Sequence, residues 1–298
     1  MNANIGEGAC GGYTRLMPEL PEVETVRRGL APAMEGKRIL HVETRRSDLR
    51  FPFPENFNQR IEGARVKRLG RRAKYLVGEL SNGEALIMHL GMTGRFTVAG
   101  AKPGKFHHAA GGDDKHDHVV FGMQGGARIV FNDARRFGFM DLWALEDLEN
   151  YAPFAGMGPE PISNAFSGAY LAEAFRGKKT PVKAALLDQT VVAGLGNIYV
   201  CEALFRSRIS PKKLAGALRK DRLETLAVEV RKVIAEAIAA GGSTISDFSH
   251  ADGELGYFQH SFQVYDREGE DCVVCAKTVK RLVQSGRSTF YCAQCQRA

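Results

Sequence analysis

Four cysteines near the C-terminal end carry the plainest chemistry in the chain: Cys272-x2-Cys275, sixteen residues, then Cys292-x2-Cys295. Each CxxC pair can bend so that both thiolates reach one ion, and two pairs complete a tetrahedral shell for a single Zn2+. One CxxC alone could be a redox pair, but redox chemistry does not explain two at this spacing. Four protein thiolates leave no open position, so the ion is structural and the segment reads as a zinc ribbon. From Cys272 to the end there are five Lys or Arg and no acid. A ribbon of that charge binds phosphate by displacing counterions, although it could also serve only as a brace. A second stretch, "MPELPEVETVRRGL" at 17–30, looks like the start of a protein, yet sixteen residues precede it. Whether Pro18 is a structural residue or a chemical one depends on the company it keeps.

The elements that must position these residues are legible from periodicity. Apolar residues at Leu20, Val23, Val26 and Leu30 fall at helical spacing, Pro21 suits a first turn, and Gly36 can end the helix. Seven or eight short β-type runs follow, among them "RILHVETR", "AKYLVGEL" and "ARIVFND", with "SNGE" and "QGGA" as hairpin turns. They predict a β-sandwich or flattened barrel. "RRAKYL" is read as strand, with Lys74 on the face opposite Tyr75, and "GAKPGKFHHAAGGDD" as a loop. The stretch "NYAPFAGMGPEPISN" holds three prolines and two glycines and reads as a linker. Beyond it, "RLETLAVEVRKVIAEAIAAGG" places Leu223, Leu226, Val230, Val233, Ile234 and Ile238 on one helical face.

The net charge of +7 favours a polyanionic partner, nucleic acid first. No apolar run approaches the roughly eighteen residues of a membrane span, and the opening residues lack a signal sequence's cationic start and apolar stretch. The chain is therefore expected in the cytoplasm. Cys201, in the helix-like "NIYVCEALF", reads as a small buried residue.

One set of motifs recurs here in a fixed order: "PELPEVE", "RRAKYL", "HLGMTG", "KHDH", "RRFG", "GLGNIY", "GYFQHSFQVYDREGEDC" and "GRSTFYC". Each is weak alone, but the ordered set with the zinc cysteines resembles the formamidopyrimidine-DNA glycosylases over residues 18–296. The resemblance implies base-excision repair of duplex DNA carrying oxidised purines or abasic sites, by glycosylase and lyase chemistry, in a monomer working on the nucleoid. It implies Pro18 as the nucleophile, Glu19 as the proton donor, Lys74 in elimination and phosphate holding, and Arg287 in the later elimination. A proline nitrogen can attack C1′ only as a free amine, because a peptide nitrogen's lone pair is delocalised into its carbonyl. Met92, Arg135 and Phe137 match the residues that fill the gap left by an extruded base. His116, Arg135, Lys178 and Asn197 match DNA contacts, with Asn197 opening the second helix of a helix-two-turn-helix. Lys183 and Glu202 are weaker matches, and Glu22 is either a supporting carboxylate or a solvated charge. Ala134 and Ala276 stand where the family usually has proline and glycine.

The fold expected is α+β: residues 1–17 as an extension, 18–149 as an N-terminal β-sandwich with its leading helix, 150–164 as linker, 165–261 as helical domain and 262–298 as zinc ribbon. Translation is expected to start at Met17, so that loss of methionine exposes the Pro18 amine. Two rivals remain: an endonuclease VIII-like enzyme for oxidised pyrimidines, and a zinc-ribbon DNA-binding protein without catalysis. The "PELPEVE" start and the Arg135–Phe137 pair argue against the former, and an internal Pro18 would favour the latter.

Overall fold

The computed structural model describes residues 17–100, 114–243 and 258–297. The expected N-terminal extension, most of the 100–114 loop and most of the "STISDFSHADGELGYF" segment lie outside the described residues. Helix α1 (Leu20–Met34) starts where Pro21 supplies a preset backbone angle, and the Glu19 amide donates to Glu22 Oε2 at 3.0 Å across its first turn. The helix serves two cores. Leu20 packs into the helical half, whereas Val23, Val26, Leu30, Ala33 and Met34 pack into the sandwich.

That sandwich is two four-stranded antiparallel sheets. One runs β1 (Ile39–Thr44), β6 (Asp117–Met123), β7 (Arg128–Asn132), β5 (Arg95–Ala99). The other runs β2 (Val66–Arg72), β3 (Tyr75–Leu80), β4 (Glu84–His89), β8 (Phe139–Ala144). Phe96, Phe121 and Phe131 from the first sheet share the core with Leu76, Leu86 and Met88 from the second. Both expected hairpin turns form, with Gly83 at φ +89° and Gly125 and Gly126 at φ +96° and +87°. A short helix, α2 (Phe57–Ile61), had no periodic signal because five residues are too few to carry one. Lys74 differs from its reading as a strand residue. It sits with Ala73 in the two-residue turn that joins β2 and β3, where Arg72 pairs with Tyr75.

The helical half contains α3 (Gly168–Ala174), α4 (Val182–Leu187), α5 (Asn197–Arg206) and α6 (Lys220–Ala239). Leu223, Leu226, Val230, Val233 and Ile234 of α6 are buried as their spacing requires, while Ile238 packs at the margin. A hairpin of β9 (Lys280–Gln284) and β10 (Arg287–Tyr291) turns through Ser285 and Gly286, both at positive φ, as two-residue hairpins require. Cys272, Cys292, Val279 and Phe290 belong to the same core as α5 and α6, so the ribbon is packed into the helical half. Among the described residues no helix is long and apolar enough to cross a membrane.

Candidate active site

The four cysteine sulfurs lie within 4.8 Å of one another, with Cys272 to Cys295 at 3.9 Å and Cys275 to Cys292 at 3.5 Å. A tetrahedral ion with Zn–S bonds of about 2.3 Å requires sulfurs about 3.8 Å apart, so the set fits Zn2+. Ala276 follows Cys275 at φ +55°, a conformation glycine adopts more readily. The cluster packs into the helical core, and Cys292 directly follows β10 of the hairpin.

That hairpin forms one wall of a cavity of about 640 Å³ between the two halves. Met17, Glu19, Lys74, Met92, Phe137, Asn197 and Arg287 line it, whereas Pro18, between the first two in sequence, is buried and is not among the lining residues. Thus residues expected to act on DNA, drawn from both ends of the sequence and from several segments between, meet in one place. Glu19 is 3% exposed and its Oε1 accepts from the Ile198 amide at 3.0 Å. The helix N-terminus of α5, expected to favour a phosphate, is therefore occupied by this carboxylate. Gly196 permits the approach, since a Cβ there would stand 2.1 Å from Glu19 Cδ. Glu19 Oε2 is buried with no hydrogen-bond partner among the described residues. Burial, partly offset by the positive Lys74, pushes the Glu19 carboxyl up to about 7. Burial pushes the Lys74 ammonium down, with Glu19 opposing and the Arg287 charge adding to the shift.

Glu22 is no solvated charge. It is 3% exposed and accepts from the Tyr199 hydroxyl, from Ser243 N at 2.8 Å and from Ser243 Oγ at 2.9 Å. One carboxylate thereby ties the start of α1 to α5 and to the end of α6. Lys183 and Glu202 are also fully buried and are not among the residues that line the cavity. Lys183 Nζ donates to the Ser288 carbonyl at 2.8 Å and to Thr289 Oγ1 at 2.7 Å, and Asn197 Nδ2 donates to the same carbonyl at 2.9 Å. These bonds fix the backbone next to Arg287. Glu202 accepts from the amides of Gln263, Val264 and Tyr265, which sets Tyr265 on the cavity wall.

At the mouth, buried Asp133 organises the turn between β7 and β8. It accepts from Thr93 Oγ1 at 2.5 Å, from Gly138 N at 2.8 Å and from Arg135 N at 3.3 Å. Gly91 packs directly against this turn, since a Cβ there would lie 2.3 Å from the Phe137 backbone. Met92 and Phe137 both reach the cavity wall, and Phe137 is 41% exposed, an unusual position for phenylalanine. The Arg135 guanidinium stacks 4.6 Å above its ring. Neither Arg135, His116 nor Lys178 lines the cavity. His116 supports the Asp133 turn through its carbonyl, which accepts the Asp133 amide at 3.0 Å, and Lys178 lies in the loop after α3.

Arg50, His89, Tyr265 and Ser288 also line the cavity and had not been singled out. Burial, with the Lys74 and Arg50 charges, pushes His89 down to about 4, so its neutral Nδ1 accepts the Gly91 amide at 3.0 Å. His89 lies inside "HLGMTG", Tyr265 inside "GYFQHSFQVYDREGEDC" and Ser288 inside "GRSTFYC", which could have drawn attention to them; Arg50 carries no local signal.

Comparison with known proteins agrees along nearly the whole chain. Residues 17–140 match the model of the formamidopyrimidine-DNA glycosylase N-terminal domain, 157–249 the H2TH domain of that family and 269–298 the zinc finger found in FPG and IleRS. The chain is 59% identical to a formamidopyrimidine-DNA glycosylase of Ruegeria pomeroyi, over 94% of this chain and 100% of that one. Among solved structures, the MutM (FPG) protein of Thermus thermophilus is 37% identical with a TM-score of 0.80, covering 94% of this chain and 98% of that one. A Lactococcus lactis FPG mutant bound to Fapy-dG containing DNA is 32% identical with a TM-score of 0.84, covering 94% and 100%.

Proposed function

The chain belongs to the formamidopyrimidine-DNA glycosylase family, and from that premise we propose that Pro18, Glu19, Lys74 and Arg287 perform its chemistry. It is a DNA glycosylase of base-excision repair that acts on damaged duplex DNA. The substrates we infer are oxidised purines, 8-oxoguanine and formamidopyrimidines, and the site of action is the DNA of the cytoplasmic nucleoid.

A target base inside the duplex is out of reach, so the nucleotide is extruded into the cavity and Met92, Phe137 and Arg135 take its place. An unbranched chain and an aromatic ring suit the vacated stack, and the guanidinium can hydrogen-bond the orphaned cytosine. The Pro18 amine attacks C1′ as the bond to the base breaks. The base leaves with that electron pair and receives a proton, for which Glu19 is the donor. The secondary amine gives up its own proton, the C1′–O4′ bond opens, O4′ is protonated and an iminium links Pro18 to the sugar. Loss of a C2′ proton then expels the 3′ phosphate, and a second elimination expels the 5′ phosphate. In this reading Lys74 and Arg287, both on the cavity wall, hold those phosphates, and a Lys74 ammonium weakened by burial can also exchange protons.

The observation that carries this reading is Glu19: a buried carboxyl pushed up to about 7, one oxygen held and the other unpaired, next to Pro18 in a cavity of nucleotide size. It holds a proton on a large share of molecules at neutral pH. The reading requires Pro18 to be the first residue of the working enzyme. The test is base release by protein started at Met17 on duplexes with one lesion opposite cytosine. Release of 8-oxoguanine is expected. Release of an oxidised pyrimidine in preference would favour the endonuclease VIII-like reading, and binding without release would favour the non-catalytic one.

A further inference from the structure

We propose that Glu160, a linker residue outside the cavity, is the positioning residue for Lys74. Lys74 reaches the cavity from a two-residue turn whose other member, Ala73, is fully buried at φ +52°. A residue with a Cβ resists that conformation, so something must impose it. Glu160 Oε1 accepts the Ala73 amide at 2.7 Å, and Glu160 Oε2 accepts Arg71 Nη2 at 2.8 Å. Arg71 Nη1 in turn donates to the Ala73 carbonyl at 2.8 Å. The amide of the strained residue is thus held from outside the hairpin by Glu160, and its carbonyl by Arg71 of β2, which the same Glu160 carboxylate fixes, so the bonds close one ring. The side chains are nearly dry, Arg71 being 6% exposed and Glu160 12%. Arg72, immediately before Ala73, donates to the carbonyls of Gly158 at 3.0 Å and Met157 at 3.3 Å.

The segment that carries Glu160 is itself fixed to the helical half. Gly158 N donates to the Gln189 carbonyl at 2.9 Å and Ala193 N to the Pro159 carbonyl at 3.1 Å. Gln189 Oε1 accepts Gly194 N at 2.8 Å, and Gly194 O accepts the Leu20 amide at 3.2 Å, beside Glu19. Lys74 and Glu19 therefore take their positions from the same short stretch of backbone. Seating of the two halves and alignment of the two catalytic groups are a single event, with Glu160 as the bond that transmits it to the lysine.

This inference rests on the reading of Lys74 as an excision residue, and a double-mutant cycle separates the two. Glu160→Ala, Glu160→Gln, Lys74→Ala and the paired variants are compared for single-turnover 8-oxoguanine release, duplex affinity and thermal midpoint. Glu160→Ala should slow release about tenfold or more, because a misplacement of about 1 Å can cost on the order of a hundredfold. Affinity should stay within about threefold, since the lysine is moved and not removed. Glu160→Gln keeps an oxygen for the Ala73 amide and should retain more activity than Glu160→Ala. In the Lys74→Ala background Glu160→Ala should add nothing. Losses that multiply overturn the inference while leaving the Lys74 reading intact, and so does full activity of Glu160→Ala. Full release by Lys74→Ala defeats that reading and the inference with it. Should Glu160→Ala not fold, the cycle with Glu160→Gln decides by the same criterion.

Discussion

At the scale of single residues, Glu19 sets the expected pH dependence. A carboxyl at about 7 is the proton donor only while protonated, so excision declines as pH rises through that value, and it declines again at low pH, where the Pro18 amine is protonated and has no lone pair with which to attack. Single-turnover 8-oxoguanine release should fall about tenfold per pH unit well above the midpoint, a slope expected of one titrating acid. Glu19→Gln should lose that limb along with most excision, by on the order of a hundredfold, yet nick a ready-made abasic site far better. Equal losses on both substrates would assign Glu19 to binding. Phe137 carries a different expectation. Its exposed ring, held on a turn organised by Asp133, should matter to the extruded state and not to general affinity. Phe137→Ala should reduce release from duplex while non-specific binding at low salt is unchanged; unaltered release would count against the wedge role. Of these residues, the sequence motif pointed to all but the reason for their effect. That Glu19 shares a helix end with Ile198 depends on a contact across 179 positions, which no local spacing encodes.

At the scale of elements, the approach of α5 to Glu19 depends on Gly196. With a Cβ there 2.1 Å from the carboxyl carbon, Gly196→Ala must displace either the helix or the acid. Excision should drop on the order of a hundredfold, with the zinc content unchanged, as misplacement of a catalytic group requires. Metal analysis beside kinetics checks this, and wild-type rates would show that the close approach is dispensable. The ribbon behaves differently. Cys292 and Phe290 are part of the core around α5, so Cys292→Ala should lose zinc, DNA affinity and thermal stability together. Normal affinity for an abasic duplex in the metal-free variant would separate the ion from the DNA grip. The elements themselves were largely readable: α1, the long α6 and the strand alternation all have periodic apolar residues. The β2–β3 turn was not, because Ala73 and Lys74 lack the glycine or asparagine that marks such turns, and Glu160 imposes the conformation from a distance.

At the scale of the whole molecule, α1 is the joint between two cores, since Leu20 belongs to one and Val23 to the other. The proposed nucleophile Pro18 and the proposed acid Glu19 therefore immediately precede the end of α1 that meets the helical half, and Met17 lines the cavity. The family match begins at residue 17, which agrees with the chemical demand for an amine on the next residue. The central claim is that this amine is the nucleophile. Borohydride reduction on an 8-oxoguanine duplex, followed by mass spectrometry of the trapped peptide, tests it most directly on two proteins: one begun at Met17 and one blocked before Pro18. The account predicts a covalent adduct on Pro18 in the first, with methionine absent, and none in the second. An adduct of equal yield in the blocked chain, or one carried by Lys74, would contradict it.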